Sequence, residues 1–227
     1  MMLPRPTLHI RAANRLRRLL RLQPIPIELA SRDVFGQIYA ANMWGNPESR
    51  SGNGSSVAGT SDLRVALGRL IKDRRVSVLL DAPCGDFNWM CRTDLGSARY
   101  IGADVVDELI LSNRRAFGRP SREFVVADIV RDALPAADLI LCRHLLIHLS
   151  FGQGLAALEN FRRTGARYLL VTTNPSLQEN REIVHTGSFR PVNMERAPFV
   201  LPRPLEVLPD PQGPDDPTVL GLYPLNS

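Results

Sequence analysis

Apolar positions along this chain fall into short unbroken runs that alternate with stretches of helical period. Val76-Ser77-Val78-Leu79-Leu80 predicts a buried strand over 76–80, followed by a turn through Pro83 and Gly85 and a helix opening at about Phe87. Further strands are predicted over 99–104, 123–128, 138–143 and 168–173, with helices over about 107–117 and 152–164 between them. Upstream, Leu63, Leu67, Leu70 and Ile71 share one face of a helix capped near Ser61 or Asp62. A shorter helix over 31–43 carries Phe35, Ile38 and Tyr39. Strands spaced by helices imply a parallel arrangement, because each return to a parallel neighbour needs a crossover. After Thr173 the alternation fails. Residues 174–203 have no helical period and form a long irregular segment, and two closing strands over 205–208 and 218–223 complete the pattern. The predicted fold is α/β, a Rossmann-like, doubly wound and mostly parallel seven-stranded sheet with an N-terminal helical arm.

Two segments precede the regular part. Residues 8–22 place Leu8, Ala12, Leu16, Leu19 and Leu20 near one helical face and arginines on the other, until Pro24 and Pro26 stop the helix. Trp44-Gly45 and the Gly/Ser run from Ser49 to Ser56 form a loop too small-sided to build a core. A plain linker would gain nothing from an opening tryptophan, and a loop of this kind upstream of a ligand turn can serve as a lid. The chain thus divides into a basic arm and lid loop over 1–60 and a domain over 61–227 whose irregular segment 174–203 faces the substrate.

Charge narrows the partners. The net charge is +5, with 28 basic and 23 acidic side chains. Residues 1–30 hold six arginines against Glu28, which accounts for the whole excess, so residues 31–227 balance 22 against 22. A charge-balanced domain argues against nucleic acid as partner, since phosphate binding needs a basic surface. Cys84, Cys91 and Cys142 have neither zinc spacing nor an even number for a disulfide framework. No apolar run reaches the ~20 residues of a membrane span, and the arginine-rich start has no hydrophobic signal core, so stable membrane insertion is not expected and the cytoplasm is the expected location.

The chemistry sits at strand ends. Asp81, Asp104 and Asp128 each close a predicted strand, and Asp104 lies about 20 residues past the glycine turn, where an acid takes a ribose hydroxyl pair. A helix N-cap explains one such acid; three at successive strand ends beside a glycine turn need more. A pyrophosphate site wants three spaced glycines, and of these only Gly85 is present. Asp81 would repel a pyrophosphate and pair with an amine or sulfonium.

These residues resemble those of the class I S-adenosylmethionine-dependent methyltransferases over roughly residues 60–175. The resemblance implies that Asp81-Ala82-Pro83-Cys84-Gly85 holds the methionine moiety, Asp104 with Val105 the ribose, and Asp128 with Ile129 the adenine, with Arg143 and the loop residues Ser51 and Gly52 completing the cofactor site. Pro83 and Phe87 depart from the family, which commonly shows glycine there. Trp44-Gly45 with the Ser49–Ser56 run, Pro83 to Met90, Cys142-Arg143-His144 through His148-Leu149-Ser150, and Gly187 to Asn193 resemble a small bacterial methyltransferase subgroup associated with polysaccharide production, including enzymes that O-methylate mycobacterial mannosides.

Transfer to an alcohol needs a base near the acceptor oxygen, and Arg143, His144 and His148 follow strand four, whose carboxyl end faces the transferred methyl in this architecture. His144 is the preferred base, as imidazole titrates near neutral pH; a histidine bonded to backbone is the bland alternative. Asn88, His148, Thr186, Arg190 and Asn193 offer polar contacts to a sugar or oligosaccharide acceptor, and Tyr39, Phe87, Trp89 and Phe189 are candidate aromatic platforms. Asp86, Asp128, His144 and Glu179 are candidate magnesium ligands without a diagnostic spacing. Methylation of another small metabolite such as a phenol, a non-catalytic cofactor-binding protein and a nicotinamide oxidoreductase stay open. The apolar-faced arm leaves a homodimer open as well.

Overall fold

The computed structural model describes residues 31–183, 185–213 and 215–225, so the predicted arm over residues 1–30 lies outside the described residues. Four helices, α1 (Ser31–Ala40), α2 (Ser61–Asp73), α3 (Asp107–Phe117) and α4 (Phe151–Arg163), accompany seven strands. The strands are β1 (Val78–Asp81), β2 (Arg99–Asp104), β3 (Arg122–Val126), β4 (Leu139–Cys142), β5 (Tyr168–Thr173), β6 (Glu206–Pro209) and β7 (Val219–Pro224). They form one sheet in the order β3-β2-β1-β4-β5-β7-β6. The first five run parallel, while β7 is antiparallel to both β5 and β6.

The inner strands are apolar over their central residues, as expected of a parallel sheet with both faces covered. All four residues of β4 are buried, as are Leu79, Leu80 and Asp81 of β1. The path leaves β1 toward β2 and β3 on one side, then returns to β4 on the other. That reversal opens a crevice beyond the carboxyl ends of β1 and β4, where ligands bind in open α/β sheets. Charge placement favours the helices that flank it. In α3, Asp107 and Glu108 occupy the first turn and Arg114 and Arg115 the last, each complementing the helix dipole. Ser150 and Gln153 form a reciprocal capping box that starts α4.

The structure differs from the sequence expectation at several ends. β1 starts at Val78, because Val76 still donates its N–H to Ile71 O at the exit of α2, and Asp138 Oδ2 accepts from the Ser77 and Val78 N–H groups. β3 ends at Val126, and Asp128 instead opens a turn whose carbonyl accepts from Arg131 and Asp132. The helix expected from Phe87 does not form. Phe87 takes φ +61°, and the segment runs through turns to a single 3-10 turn at Met90–Arg92. Its ring is buried against Tyr100 (centroids 4.9 Å apart), Phe117 (5.1 Å) and Phe124 (5.2 Å). Phe87 is therefore a core residue under the turn, not an aromatic platform.

The irregular segment is held by a paired-asparagine clamp rather than by secondary structure. Asn193 N–H donates to Asn180 Oδ1 at 2.7 Å, and the Asn180 amide donates to the carbonyls of Asn193 and Ala197, each at 2.9 Å. Met194 N–H donates to Thr173 Oγ1, fastening the segment to the end of β5. No helix among the described residues is long and apolar enough to cross a membrane.

Candidate active site

A cavity of about 460 Å³ opens at the carboxyl ends of β1, β2 and β4. Its floor is the turn after β1, where Asp81, Pro83, Cys84, Gly85 and Asp86 all line it. Gly85 adopts φ +52°, and a Cβ there would collide with Ser51 Oγ of the loop above, so the close approach of loop to turn requires glycine. Asp104, Val105 and Val106 at the end of β2 form one wall, and Ala127 to Val130 after β3 the next. Arg143, His144 and Leu145, with Ile147 and His148 of the 3-10 turn at Leu146–His148, close the β4 side. α1 contributes Phe35 and Tyr39, and the loop after it contributes Trp44 and residues Arg50 to Asn53.

Of the sequence-selected residues, Asp81, Pro83, Gly85, Asp104, Val105, Asp128, Ile129, Arg143, Ser51 and Gly52 line this cavity together, as do His144, His148, Tyr39 and Trp89. Ala82 does not; it is fully buried behind the turn, its N–H donating to Leu141 O. The remaining four are turned to structural work. The Asn88 side chain donates to Glu48 Oε1 and Ser55 O. Thr186 donates to Gln153 Oε1 beside the α4 cap. Arg190 is buried over the Phe151 ring, 4.5 Å from its centroid, and donates to Leu149 O and Glu182. Asn193 belongs to the asparagine clamp. None of these four lines the cavity: Asn88, Thr186 and Asn193 spend their polar atoms on backbone or on side chains of the shell behind it, and Arg190 is held against Phe151, Leu149 and Glu182 with Nε and Nη2 buried and without a hydrogen-bond partner among the described residues.

Two buried acids set the electrostatics of the floor. Asp81 accepts the Tyr100 hydroxyl at 2.7 Å, and burial pushes its carboxyl up to about 7 despite that donor and the nearby Arg143. Asp104 accepts from Val106 N–H at 3.1 Å and Gly85 N–H at 3.2 Å, and burial raises it to about 6. Neither acid forms an ion pair within 4.0 Å among the described residues, so the ionised forms gain from a ligand that brings positive charge or hydroxyl donors. An adenosyl ligand with an ammonium, a sulfonium and a ribose diol has those groups. The acceptor-rich floor therefore fits it and disfavours a pyrophosphate.

Across the cavity stands a denser network. Arg143 Nε and Nη2 donate to Asp210 Oδ2 at 2.9 Å and Oδ1 at 2.7 Å, and Nη2 also reaches Gly54 O at 2.7 Å. The guanidinium lies 5.3 Å from the Trp89 ring centroid. His144, at φ +54°, donates its backbone N–H to Thr172 Oγ1 and carries Nε2 3.1 Å from Asp210 Oδ2. That approach pairs the groups by proximity; the ring N–H is not aligned on the carboxylate, and Nε2 makes no formal hydrogen bond. Burial lowers the His144 imidazole below its ordinary value, as does Arg143, against the raising effect of Asp210. Although burial works to raise it, Asp210 is held below the usual carboxylate range by His144 and Arg143. The sequence reading missed Asp210, whose signal was only a Pro/Asp turn 67 residues away from Arg143.

The mouth is aromatic. Trp44 and His148 rings lie 5.6 Å apart, and His148 and Phe189 rings 6.1 Å apart. Trp44 and Phe189 are exposed, at 38% and 69%. His148 Nδ1 is 3.0 Å from Ser188 O, which requires the proton on Nδ1, and burial pushes the ring down to about 4, so it stays neutral at physiological pH. In the sequence Trp44 stood as the opening of the lid loop and as part of the subgroup resemblance, not among the aromatic platforms. Among the described residues, no group of three or more His, Cys, Asp or Glu side chains is placed to hold a metal ion, and Asp86, Asp128, His144 and Glu179 do not converge into one.

The sheet order and the placement of the cavity are those of the Rossmann-like fold of class I S-adenosylmethionine-dependent methyltransferases. Among solved structures, the chain is similar to TnmH (TM-score 0.61, 16% identity, 96% of this chain and 67% of that one). It is also similar to 1,6-didemethyltoxoflavin-N1-methyltransferase of Burkholderia thailandensis, solved with bound 1,6-didemethyltoxoflavin and S-adenosylhomocysteine (TM-score 0.60, 15% identity, 100% of this chain and 94% of that one). A third is the N-methyltransferase NodS of Bradyrhizobium japonicum, in complex with S-adenosylhomocysteine (TM-score 0.58, 16% identity, 82% of this chain and 97% of that one). At these identities the likeness is one of fold. No protein-family model and no curated protein matches the chain in sequence.

Proposed function

We propose that this protein is an S-adenosylmethionine-dependent O-methyltransferase acting on a hydroxyl of a small acceptor, with His144 as general base. The observation that carries the reading is the convergence of Asp81, Asp104, Asp128 and His144 on one cavity at the switch point of a methyltransferase fold. When bound, adenosylmethionine supplies a methyl group on a sulfonium, already activated for in-line displacement. Asp104 would hold the ribose hydroxyls, Asp81 would face the amino end, and Asp128 with Ile129 would meet the adenine. Ser51 and Gly52 would cover the cofactor from the loop side, where Ser51 already contacts the turn through Asp86 N–H at 3.0 Å. The aromatic wall and Leu145, Ile147 and Leu149 exclude water from the acceptor end. His144 would take the acceptor proton as the oxygen attacks, since a neutral hydroxyl is a poor nucleophile.

The acceptor in this reading is a sugar or oligosaccharide hydroxyl. Its support is the trio Trp44, His148 and Phe189, which offers ring faces to the C–H face of a pyranose. The polar residues Thr186, Arg190 and Asn193 lend no support, because none of them lines the cavity. The same trio favours a second reading, a flat phenolic metabolite. Methyl transfer measured against a panel of mono- and oligosaccharides and phenols, in parallel, tests the proposal. Turnover on the sugars supports the first reading, turnover on phenols alone supports the second, and no turnover on either with adenosylmethionine bound would turn us to a non-catalytic binding protein.

A further inference from the structure

The turn between β6 and β7 crosses back from the far edge of the sheet and delivers one side chain, Asp210, into the network at the end of β4. Asp210 is only 3% exposed, which for a carboxylate demands a partner. It has two: the bidentate guanidinium of Arg143 and, at 3.1 Å, Nε2 of His144. Arg143 alone would satisfy the charge. The second contact sets the carboxylate beside Nε2 of an imidazole whose ring lines the cavity and whose other nitrogen, Nδ1, has no hydrogen-bond partner among the described residues. Gly54 stands against that same ring. A Cβ at Gly54 would collide with Gln212 Oε1 and come within 2.9 Å of His144 Cε1 and 3.0 Å of Nδ1, so the loop approaches the ring this closely only because the residue is glycine.

On the reading of His144 as base, we infer that Asp210 is a positioning residue: it holds the proton on His144 Nε2 and leaves Nδ1 as the lone pair that receives the acceptor proton. The arrangement is a carboxylate orienting an imidazole, the relation that fixes tautomer and ring angle wherever histidine acts as a base. The imperfect alignment seen here is common before substrate is bound and tightens on binding. In the proton-transfer step, the acceptor O–H bond breaks as the new O–methyl bond forms. The proton passes to Nδ1, and the resulting imidazolium is stabilised by the Asp210 anion without transfer to it.

The test reads His144 itself, in the full chain without added ligand. Nitrogen NMR of imidazole-labelled protein should show His144 as the Nε2–H tautomer, and the Nδ1–H tautomer would overturn the assignment with no variant needed. In Asp210→Asn, loss of the anion should lower the His144 titration midpoint by about one pH unit. The charged or titratable groups facing that ring are Arg143 and His148 on its own side and Asp210 and Asp216 from the β6–β7 turn, so Asp216→Asn serves as the control with a smaller shift. Asp210→Glu, which keeps the charge for Arg143, should restore most of the midpoint. An unmoved midpoint in folded Asp210→Asn overturns the inference. Because these readouts involve no methyl transfer, a protein that shows them and yet transfers no methyl group counts against the enzymatic reading alone.

Discussion

The Ser49 hydroxyl lies 3.0 and 2.9 Å from the two carboxylate oxygens of Asp86, and the next residue, Arg50, donates its backbone N–H to the same carboxylate at 2.8 Å. A loop with no core of its own is thereby fastened to the turn that forms the floor of the site. Glu48 adds a second clasp, accepting from Val57 N–H and the Asn88 amide, each at 2.7 Å. The loop is seated by charge-assisted hydrogen bonds rather than by apolar burial, so its closure over the site rests on the Asp86 and Glu48 carboxylates. Asp86→Asn should reduce amide-exchange protection over residues 49–55 by about tenfold, equivalent to roughly 1.4 kcal/mol. Unchanged protection there would mean that other contacts hold the loop.

Ligand binding should depend on pH through the floor acids. With Asp81 raised to about 7 and Asp104 to about 6, both are partly protonated in mild acid. A ligand that brings positive charge and hydroxyl donors binds the ionised forms, so its affinity should rise from pH 5 to pH 7.5 and then level off. Calorimetry in buffers of different ionisation enthalpy should show proton release below pH 7. A flat profile would mean that neither acid contacts the ligand.

Removing the aromatic wall should affect the acceptor and spare the cofactor. Trp44→Ala or Phe189→Ala is expected to raise the acceptor KM by about tenfold, the scale of one lost ring contact, with kcat and S-adenosylhomocysteine affinity little changed. A loss of cofactor affinity instead would place these rings over the donor.

Asn193→Ala should act on stability. It deletes buried side-chain bonds to Leu177 O and Glu195 N–H, the first at 2.8 Å, and we expect a loss of about 1–3 kcal/mol in chemical denaturation. Any folded fraction should keep its acceptor KM. A raised KM at unchanged stability would restore Asn193 to the substrate site.

The fold was legible because Val78-Leu79-Leu80 of β1 and Ile101-Gly102-Ala103 of β2 run without a polar residue before each strand closes on an acid that faces the crevice. Asp128 and Asp104 could be placed near one another because a parallel sheet brings successive carboxyl ends to one edge. The stretch after Gly85 read as a helix from composition, yet its polar groups are drawn to the loop above, with Asn88 bonded to Glu48 and Ser55, and Phe87 drops into the core. Arg190 and Asn193 looked like substrate donors since sequence shows donors without showing that the fold turns them away from the cavity. Asp210 was invisible for the converse reason. Its role depends on a partner brought near only when β7 inserts between β5 and β6.

The central claim is that this cavity holds an adenosyl cofactor through Asp104. Titration calorimetry of S-adenosylhomocysteine into the wild-type chain and into Asp104→Ala, with NAD as the comparison ligand, tests it most directly. The account predicts saturable one-to-one binding by the wild type, weakened at least about tenfold in the variant as a buried hydrogen-bonding acid is lost, and no comparable binding of NAD. Equal affinity in the two proteins, or tighter binding of NAD than of S-adenosylhomocysteine, would contradict it.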